Sequence, residues 1–286
     1  MIAALAPLAW FIDPYRSGFM QRALIGVFLI GTFVPAVGVW IVLRRLSYLG
    51  DAMGHGLLAG VAGAYLAGWS ITVGALIAGL AMAFIIAGLS RFPKLREDSA
   101  IGVAETILFS VGLILIARKS SRIGIDLSHF LFGQIATTSV GDLRLNALLV
   151  AVGIALMALF FHDLRVATFD PIHAKLVGIR VGALSTGLLV LLALAVVISL
   201  QTVGLLMSVA MLVSPATAAR VLTDRLPLTI ALASSIGVAS GFTGLTLAYH
   251  LSAPPGATIA LVAAGVLLVV LVGKALSDFS ARTVVG

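Results

Sequence analysis

Apolar residues fill most of this chain in long blocks, and the charged residues are concentrated in the short stretches between the blocks. The blocks are mostly 17 to 22 residues long, and about 20 helical residues cross the hydrocarbon of a bilayer. We therefore predict an all-α, polytopic helical membrane protein with about eight to nine transmembrane helices in a single domain, residues 1–286. The predicted spans lie near residues 23–43, 52–68, 71–90, 100–117, 145–162, 183–199, 203–222, 228–249 and 257–273.

The count of spans depends on the connection between the fourth and fifth of them. This connection contains a semi-apolar run, Leu127–Ile135, which we expect to form a short re-entrant or interfacial helix. Pro35 and Pro215 fall inside predicted spans, where each frees a backbone carbonyl, either at the wall of a pathway or at a packed kink.

Composition and charge narrow the class of protein further. Hydrophobic residues make up 61% of the chain and charged residues only 10%, whereas soluble domains carry about 25% charged residues. The net charge is +7, but the basic residues are scattered at the ends of the apolar blocks, so we expect no nucleic-acid partner. With the odd-numbered connections and the C-terminus in the cytoplasm, 12 Lys and Arg residues lie inside and 6 outside, as the positive-inside rule predicts.

Asp51 and His55 are the most informative polar residues. If the second helix begins near Ser47, their i, i+4 spacing puts a carboxylate and an imidazole on one face, where they can hold one cation. A charge inside the membrane is costly unless it is paired or coordinated. The alternative is that Asp51 caps the helix and His55 makes an ordinary interhelical hydrogen bond. Because the chain has no cysteine, any metal ligands are nitrogen or oxygen atoms.

Glu105 and His129 are the further candidate ligands, and His250 is compared with them. Glu105 lies a third of the way along the predicted fourth span, so its carboxylate must face protein or water. It is a third ligand or a proton site, or else a structural partner of an Arg or a hydroxyl. His129 and His250 fall on the predicted outer side, where a solvated or interfacial histidine is the alternative to a ligand.

The connection between the fifth and sixth predicted spans, residues 169–182, contains the signals of a short helix. Asp170 suits the N-cap, Pro171 suits the first helical position, and Gly178 suits a left-handed C-terminal position, so we expect about two helical turns. A short helix at the cytoplasmic surface can dock into a groove of a partner. The alternative is a simple connecting turn.

The chain lacks the motifs of a nucleotide-binding site or a membrane-embedded enzyme. There is no G-x-x-x-x-G-K-[ST] motif, since Gly273-Lys274 is followed by Ala275. There is also no H-E-x-x-H or G-x-S-x-G motif. We therefore predict that the chain is not an enzyme and that any ATP hydrolysis takes place on a separate subunit.

Four segments, taken in this order, resemble the permease subunits of metal-uptake ABC transporters, the family that serves manganese, zinc and iron. They are Val42–His55, Asp126–Gly133, Phe169–Gly178 and Val203–Ala218, and the resemblance extends from about Phe19 to Lys274. It implies a single permease domain in the bacterial inner (plasma) membrane, working as a homodimer with two cytoplasmic ATP-binding subunits. It also implies that an extracellular solute-binding protein delivers the ion.

The resemblance assigns roles to particular residues. Asp51 and His55 would line the metal path, and the segment that follows Asp170 would be the coupling helix, with Pro171, His173, Lys175 and Gly178 in contact with the ATPase. The metal would be cargo, with no permanently bound cofactor.

Two positions in the resemblance concern the choice of metal. Several zinc permeases have a histidine at the position of Thr106, whereas manganese-type relatives tend to have a hydroxyl there and a histidine like His129, which favours manganese over zinc or iron. Glu105 departs from the pattern of the family and leaves the selectivity open. The rival hypothesis is an ion-coupled secondary metal transporter that needs no ATPase and moves protons through Glu105 and Asp51.

Overall fold

The computed structural model of the chain describes residues 10–92, 94–119 and 140–285, and regular secondary structure in these ranges is helical. His129 and the run Leu127–Ile135 lie outside the described residues. A 3-10 helix, Asp13–Arg16, precedes the first long helix. The α-helices are α1 Gly18–Leu43, α2 Leu49–Ala67, α3 Ile71–Leu89, α4 Glu97–Lys119, α5 Val140–Leu159, α6 Phe161–Phe169, α7 Pro171–Leu176, α8 Val181–Val203, α9 Leu205–Leu222, α10 Leu226–Leu251 and α11 Pro255–Val285.

Seven helices in the described part of the chain are long and apolar enough to cross a membrane. They are α1, α3, α4, α5, α8, α10 and α11. An apolar stretch of α9, Met207–Leu222, is shorter, and α2 carries the polar pair Asp51 and His55. The predicted all-α, polytopic fold is confirmed, and α2 and α9 occupy the positions of the second and seventh predicted spans.

The structure refines one predicted boundary and decides between the two interpretations of Asp51. The fifth span was expected to run to residue 162, but α5 ends at Leu159 and a separate helix, α6, begins at Phe161. Phe160 between them has φ −96° and ψ 12°, so the helix is interrupted there without a glycine or proline. The N-cap of α2 is Tyr48, and Asp51 lies in the first turn of the helix and does not cap it.

Helix α1 lies in the middle of the bundle and packs against α5, α8, α9 and α10. Phe33 and Trp40 on this helix are fully inaccessible to solvent. Small residues allow α1 and α10 to approach each other closely, because a Cβ atom on Gly237 would overlap the carbonyl oxygen of Gly31 and the ring of Pro35. Pro35 therefore lies in a packed contact between two helices.

Helix α2 packs against both α3 and α4. Its contact with α3 is formed by the backbone of two glycines, since a Cβ atom on Gly60 would overlap the carbonyl oxygen of Gly74. Both glycines belong to small-residue pairs that are spaced four apart in the sequence, a pattern typical of helix packing in membranes. This packing fixes the face that α2 turns toward α4.

Candidate metal site

Asp51 and His55 lie one turn apart on the same face of α2, as their spacing predicts. Asp51 is in the first helical turn, where a carboxylate interacts favourably with the positive end of the helix dipole. The Nδ1 atom of His55 lies 3.8 Å from an Oδ atom of Asp51, which is close enough for an electrostatic interaction but too long for a hydrogen bond.

Glu105 on α4 faces the same pair. One carboxylate oxygen lies 3.1 Å from Nδ1 of His55, and the other accepts a hydrogen bond of 2.9 Å from the hydroxyl of Tyr48. The ring of Phe109, one turn further along α4, meets the His55 ring edge to face at a centroid distance of 5.6 Å. The four side chains of Tyr48, Asp51, His55 and Glu105 are called the polar cluster below.

The hydrogen bond to Glu105 fixes which nitrogen of His55 carries the proton in the neutral ring. An ionised carboxylate only accepts hydrogen bonds, so Nδ1 of His55 is the donor. The Nε2 atom then keeps its lone pair, and that lone pair is what a metal ion needs. Histidine ligands commonly donate their other N–H to a carboxylate in this way.

The polar cluster is accessible yet partly screened from solvent. The side chains of Asp51 and His55 are 39% and 36% exposed, whereas that of Glu105 is 17% exposed. Two carboxylates beside one imidazole carry net negative charge when the histidine is neutral, so the cluster attracts cations. Glu105 is bound to His55 and Tyr48, and among the described residues it forms no ion pair with an arginine.

The close approach of α2 and α4 depends on small residues. A Cβ atom on Gly112 of α4 would lie 2.7 Å from the amide nitrogen of Ala59 on α2. A Cβ atom on Gly56 would overlap the sulfur of Met82 and touch Leu108. Gly56 makes room mainly for Met82 of α3, whereas Gly112 makes room for the backbone of α2. The close contact at Gly112 accompanies the 3.1 Å distance from Glu105 to His55.

In this structure Glu105 is hydrogen-bonded to both Tyr48 and His55, whereas Asp51 lies near His55 without a hydrogen bond to it. Within residues 10–92, 94–119 and 140–285, no three histidine, aspartate or glutamate side chains are arranged as they stand to hold a metal ion. The arrangement is a hydrogen-bonded group in which Glu105 and Tyr48 support His55.

A model of the ABC 3 transport family matches residues 16–274. The chain belongs to the ABC 3 transport family. The match covers nearly the whole chain, so the family resemblance predicted from the four sequence segments is confirmed. With its apolar helices, this member of the family is a multi-pass permease protein of the bacterial plasma membrane.

Named relatives of this ABC 3 protein are similar along nearly their full length. A manganese transport system membrane protein, MntC, of Halalkalibacterium halodurans is 37% identical over 91% of this chain and 89% of the relative. A probable iron transport system membrane protein of Haemophilus influenzae is 34% identical over 92% of this chain and 96% of the relative.

Two solved structures share the fold. The structure described as PsaBC from Streptococcus pneumoniae in complex with Fab has a TM-score of 0.81 at 34% identity, covering 92% of this chain and 95% of that chain. An inward-facing conformation of a putative metal-chelate type ABC transporter has a TM-score of 0.69 at 16% identity, covering 88% and 85% of the two chains. The second likeness concerns the fold alone.

The predicted coupling segment of this ABC 3 protein forms a short capped helix. Asp170 is the N-cap of α7 and accepts a 2.8 Å hydrogen bond from the backbone N–H of His173, while Pro171 is the first helical residue. Gly178 has φ 84°, the left-handed conformation expected for it. The helix has six residues, which is shorter than the two turns predicted, and Lys175 on it is exposed.

Other histidines lie apart from the polar cluster. His250 stacks on Trp10 at a centroid distance of 4.3 Å, and its Nε2 atom lies 2.9 Å from the Trp10 carbonyl oxygen. His162 on α6 and His173 on α7 are exposed.

Sequence reasoning missed Tyr48 and Arg44. Tyr48 lies three residues before Asp51, so helical spacing alone could have placed it on the same face. Arg44 looks like an ordinary topology signal, but its Nε donates to Thr168 and its Nη1 donates to Ser185.

Proposed function

We propose that this chain is the transmembrane subunit of an ATP-driven ABC importer of a divalent transition-metal ion, and that the ion passes Asp51 and His55. The observation that carries the proposal is the convergence of Asp51, His55 and Glu105 from two helices of a membrane bundle. Charged and ionisable side chains are costly among apolar helices and mark ion pathways.

Each member of the polar cluster has a role in this proposal. His55 binds the ion through Nε2, because Glu105 holds its Nδ1–H. Asp51 supplies a carboxylate from the same face of α2, and Tyr48 keeps Glu105 in place. Glu105, for which the sequence left a third ligand, a proton site and a structural partner open, serves mainly to orient His55. Two ligands from one chain leave the other coordination positions of the ion to water or to a second copy of the chain. So few protein ligands bind the ion weakly enough for it to be released.

Manganese is the cargo that we favour. Carboxylate and imidazole ligands without thiolate suit Mn²⁺ and Fe²⁺ as well as Zn²⁺, so ligand type alone does not decide. The relatives that resemble this chain along its length are named for manganese and iron transport. Thr106 stands where a histidine would favour zinc, and its hydroxyl bonds to the backbone carbonyl oxygen of Gly102. His129 remains a candidate ligand from the resemblance alone.

The proposal includes three partners. An ATP-binding subunit docks on α7 through exposed residues such as His173 and Lys175, a second copy of the chain completes the pathway, and an extracellular solute-binding protein delivers the ion. The well-formed N-cap of α7 supports this assignment, because a helix of six residues needs such a cap to persist at an exposed surface.

Metal uptake into liposomes that contain the chain with its ATP-binding subunit tests the proposal. We expect ATP-dependent manganese uptake by the wild-type complex and only the leak of empty liposomes for the Asp51→Ala, His55→Ala double variant. Asp278→Ala, His162→Ala is the matched control, because it removes the same two side-chain types from exposed positions and should leave uptake unchanged.

The outcomes separate the two classes of transporter. Uptake at the wild-type rate by the Asp51→Ala, His55→Ala variant would contradict the proposed path. Uptake driven by a proton gradient, without nucleotide or ATP-binding subunit, would contradict the ABC mechanism and support a secondary transporter. Zinc that displaced manganese uptake at lower concentrations than unlabelled manganese would contradict the proposed choice of metal.

A further inference from the structure

Arg44 lies at the cytoplasmic end of α1, in the tight turn that leads to the polar cluster. It is the C-cap of α1, and its N–H bonds to the carbonyl oxygen of Trp40 at 3.1 Å. Arg45 then adopts φ 60°, a left-handed conformation that is uncommon outside glycine. Leu46 N–H bonds back to the carbonyl oxygen of Ile41 at 3.0 Å. These bonds fix the direction in which the chain enters α2.

The guanidinium of Arg44 joins α1 to two other helices. Its Nε atom donates to the hydroxyl of Thr168 on α6 at 3.2 Å, and its Nη1 atom donates to the hydroxyl of Ser185 on α8 at 3.0 Å. The Nη2 atom is buried without a hydrogen-bond partner among the described residues. Burial lowers the pKa of Arg44, and the carboxylate of Glu97 on α4 opposes this shift.

The two hydrogen bonds of Arg44 do not offset the free-energy cost of partly burying its charge. Neutral hydroxyls do not balance the charge of a guanidinium, and a partly buried charge is costly when its partners are incomplete. A residue that is energetically unfavourable in an otherwise consistent fold is commonly a functional residue. Arg44 is therefore better explained by what it connects than by the stability that it adds.

The two hydroxyls lie on either side of the short helix α7 in the chain. Thr168 is two residues before Asp170, which caps α7, and Ser185 is in the second turn of α8, just after the turn at Gly178. Helices α6, α7 and α8 contact one another. A displacement of α7 is thus passed to both groups that hold the guanidinium.

On the other side of the turn, Arg44 is four residues from the polar cluster. Tyr48 donates to Glu105 at 2.9 Å, and Glu105 holds His55 at 3.1 Å. The residues between Arg44 and Tyr48 form the tight turn, in which Leu49 N–H bonds to the carbonyl oxygen of Leu46 at 2.9 Å. A continuous path of bonded groups runs from α7 to His55.

We propose that Arg44 is a positioning residue that couples α7 to the polar cluster, by tying the turn before α2 to the helices on both sides of α7. The inference rests on the proposed function, in which an ATP-binding subunit moves α7. When α6 and α8 shift, the guanidinium moves the turn, and Tyr48 changes its hold on Glu105 and thereby on His55. ATP hydrolysis is thus linked to the opening of the site.

Arg44→Lys tests the coupling in the assembled complex. A lysine amine is a single point charge and cannot donate in two fixed directions as the guanidinium fork does. We expect manganese transported per ATP hydrolysed to fall about tenfold, since two hydrogen bonds from a charged donor are reduced to one at most. Equilibrium manganese binding to the same complex should stay within about twofold of wild type, because the Arg44 side chain bonds to Thr168 and Ser185 and, among the described residues, to no member of the cluster.

Matched variants separate coupling from a structural role. Arg45→Lys changes the exposed neighbour in the same turn and should keep the wild-type ratio. Thr168→Val should lower the amount of manganese transported per ATP, as Arg44→Lys does. Thr168→Ser keeps the hydroxyl and should keep the wild-type ratio. An equal ratio in Arg44→Lys and Arg45→Lys would overturn the inference, as would a parallel loss of metal binding in Arg44→Lys.

Hydrogen exchange supplies a readout that needs no metal transport. In the wild-type complex, amides of residues 44–51 should exchange at different rates with and without ATP and vanadate, and Arg44→Lys should abolish this difference. A wild-type complex with this difference but without metal uptake would contradict the proposed function and leave the coupling supported. Persistence of the difference in Arg44→Lys would contradict the coupling alone.

Discussion

At the scale of single residues, the polar cluster is a histidine held by its neighbours. One carboxylate oxygen of Glu105 accepts a hydrogen bond from His55 and the other accepts one from Tyr48. Both oxygens of a carboxylate that is costly to place among apolar helices are therefore hydrogen-bonded. The hydrogen on Nδ1 leaves Nε2 free to bind an ion. Asp51 stays 3.8 Å away from Nδ1, and its oxygens are available to the same ion.

The orienting role of Glu105 predicts a graded response to substitution. Glu105→Gln keeps an oxygen that accepts from Nδ1–H and should raise the KM for manganese uptake about threefold to tenfold, whereas Glu105→Leu removes the acceptor and should raise it more, given about 1.5–3 kcal/mol for a hydrogen bond to a charged group. Initial uptake rates at increasing manganese concentration measure this.

Asp98→Asn is the control for this series, because Asp98 lies on the same helix at an exposed position beside Arg96. Its KM should match that of wild type. If Glu105→Gln and Glu105→Leu were equally impaired, Glu105 would be a direct ligand and not an orienting residue.

Some of these residues could be predicted from the sequence, and others could not. The shared face of Asp51 and His55 follows from helical periodicity, which needs no knowledge of the fold. The contact between His55 and Glu105 joins residues 50 positions apart and depends on helix packing. Tyr48 and Arg44 were overlooked because aromatic and basic residues are common at membrane interfaces for other reasons.

At the scale of helices, the polar cluster depends on the close approach of α2 and α4 at a glycine. Gly112 has the backbone of Ala59 where its own Cβ would be. Gly102, more than two turns earlier on α4, has no neighbouring atom at that position. The two glycines lie on the same helix, but only Gly112 is packed against another helix.

Gly112→Ala should disturb the site, and Gly102→Ala should not. Alanine favours a helix over glycine by roughly 1 kcal/mol, so Gly102→Ala should keep or slightly raise thermal stability and keep manganese uptake. At residue 112 the added methyl group forces α4 away from α2, which lengthens the bond from Glu105 to His55. We expect several-fold lower uptake and a lower melting temperature; equal behaviour of the two variants would contradict this account of the packing.

Some helix boundaries could be predicted from the sequence and others could not. The start of α7 was predictable from the cap Asp170 and from Pro171, and Gly178 ends that segment with φ 84° as expected. The break between α5 and α6 at Phe160 was missed, because no glycine, proline or capping residue marks it. That break places Thr168 beside Arg44.

At the scale of the whole molecule, α7 and the polar cluster lie on different helices of one bundle. Helix α7 is exposed at the end that the basic residues predict to be cytoplasmic. Glu105 of the polar cluster lies about two turns into α4, whereas Asp51 lies in the first turn of α2. Helix α11 carries an exposed apolar surface that includes Leu261, Leu268 and Val269, which suits contact with lipid. The composition was sufficient to predict this membrane bundle, because a soluble domain does not contain 61% hydrophobic and only 10% charged residues.

Pulsed electron paramagnetic resonance of Mn²⁺ in the assembled complex shows whether His55 binds the transported ion. We expect a ¹⁴N coupling from imidazole in the wild-type complex. The coupling should be absent in His55→Ala and retained in His162→Ala, whose histidine lies exposed on α6. An unchanged nitrogen coupling in His55→Ala would contradict the account.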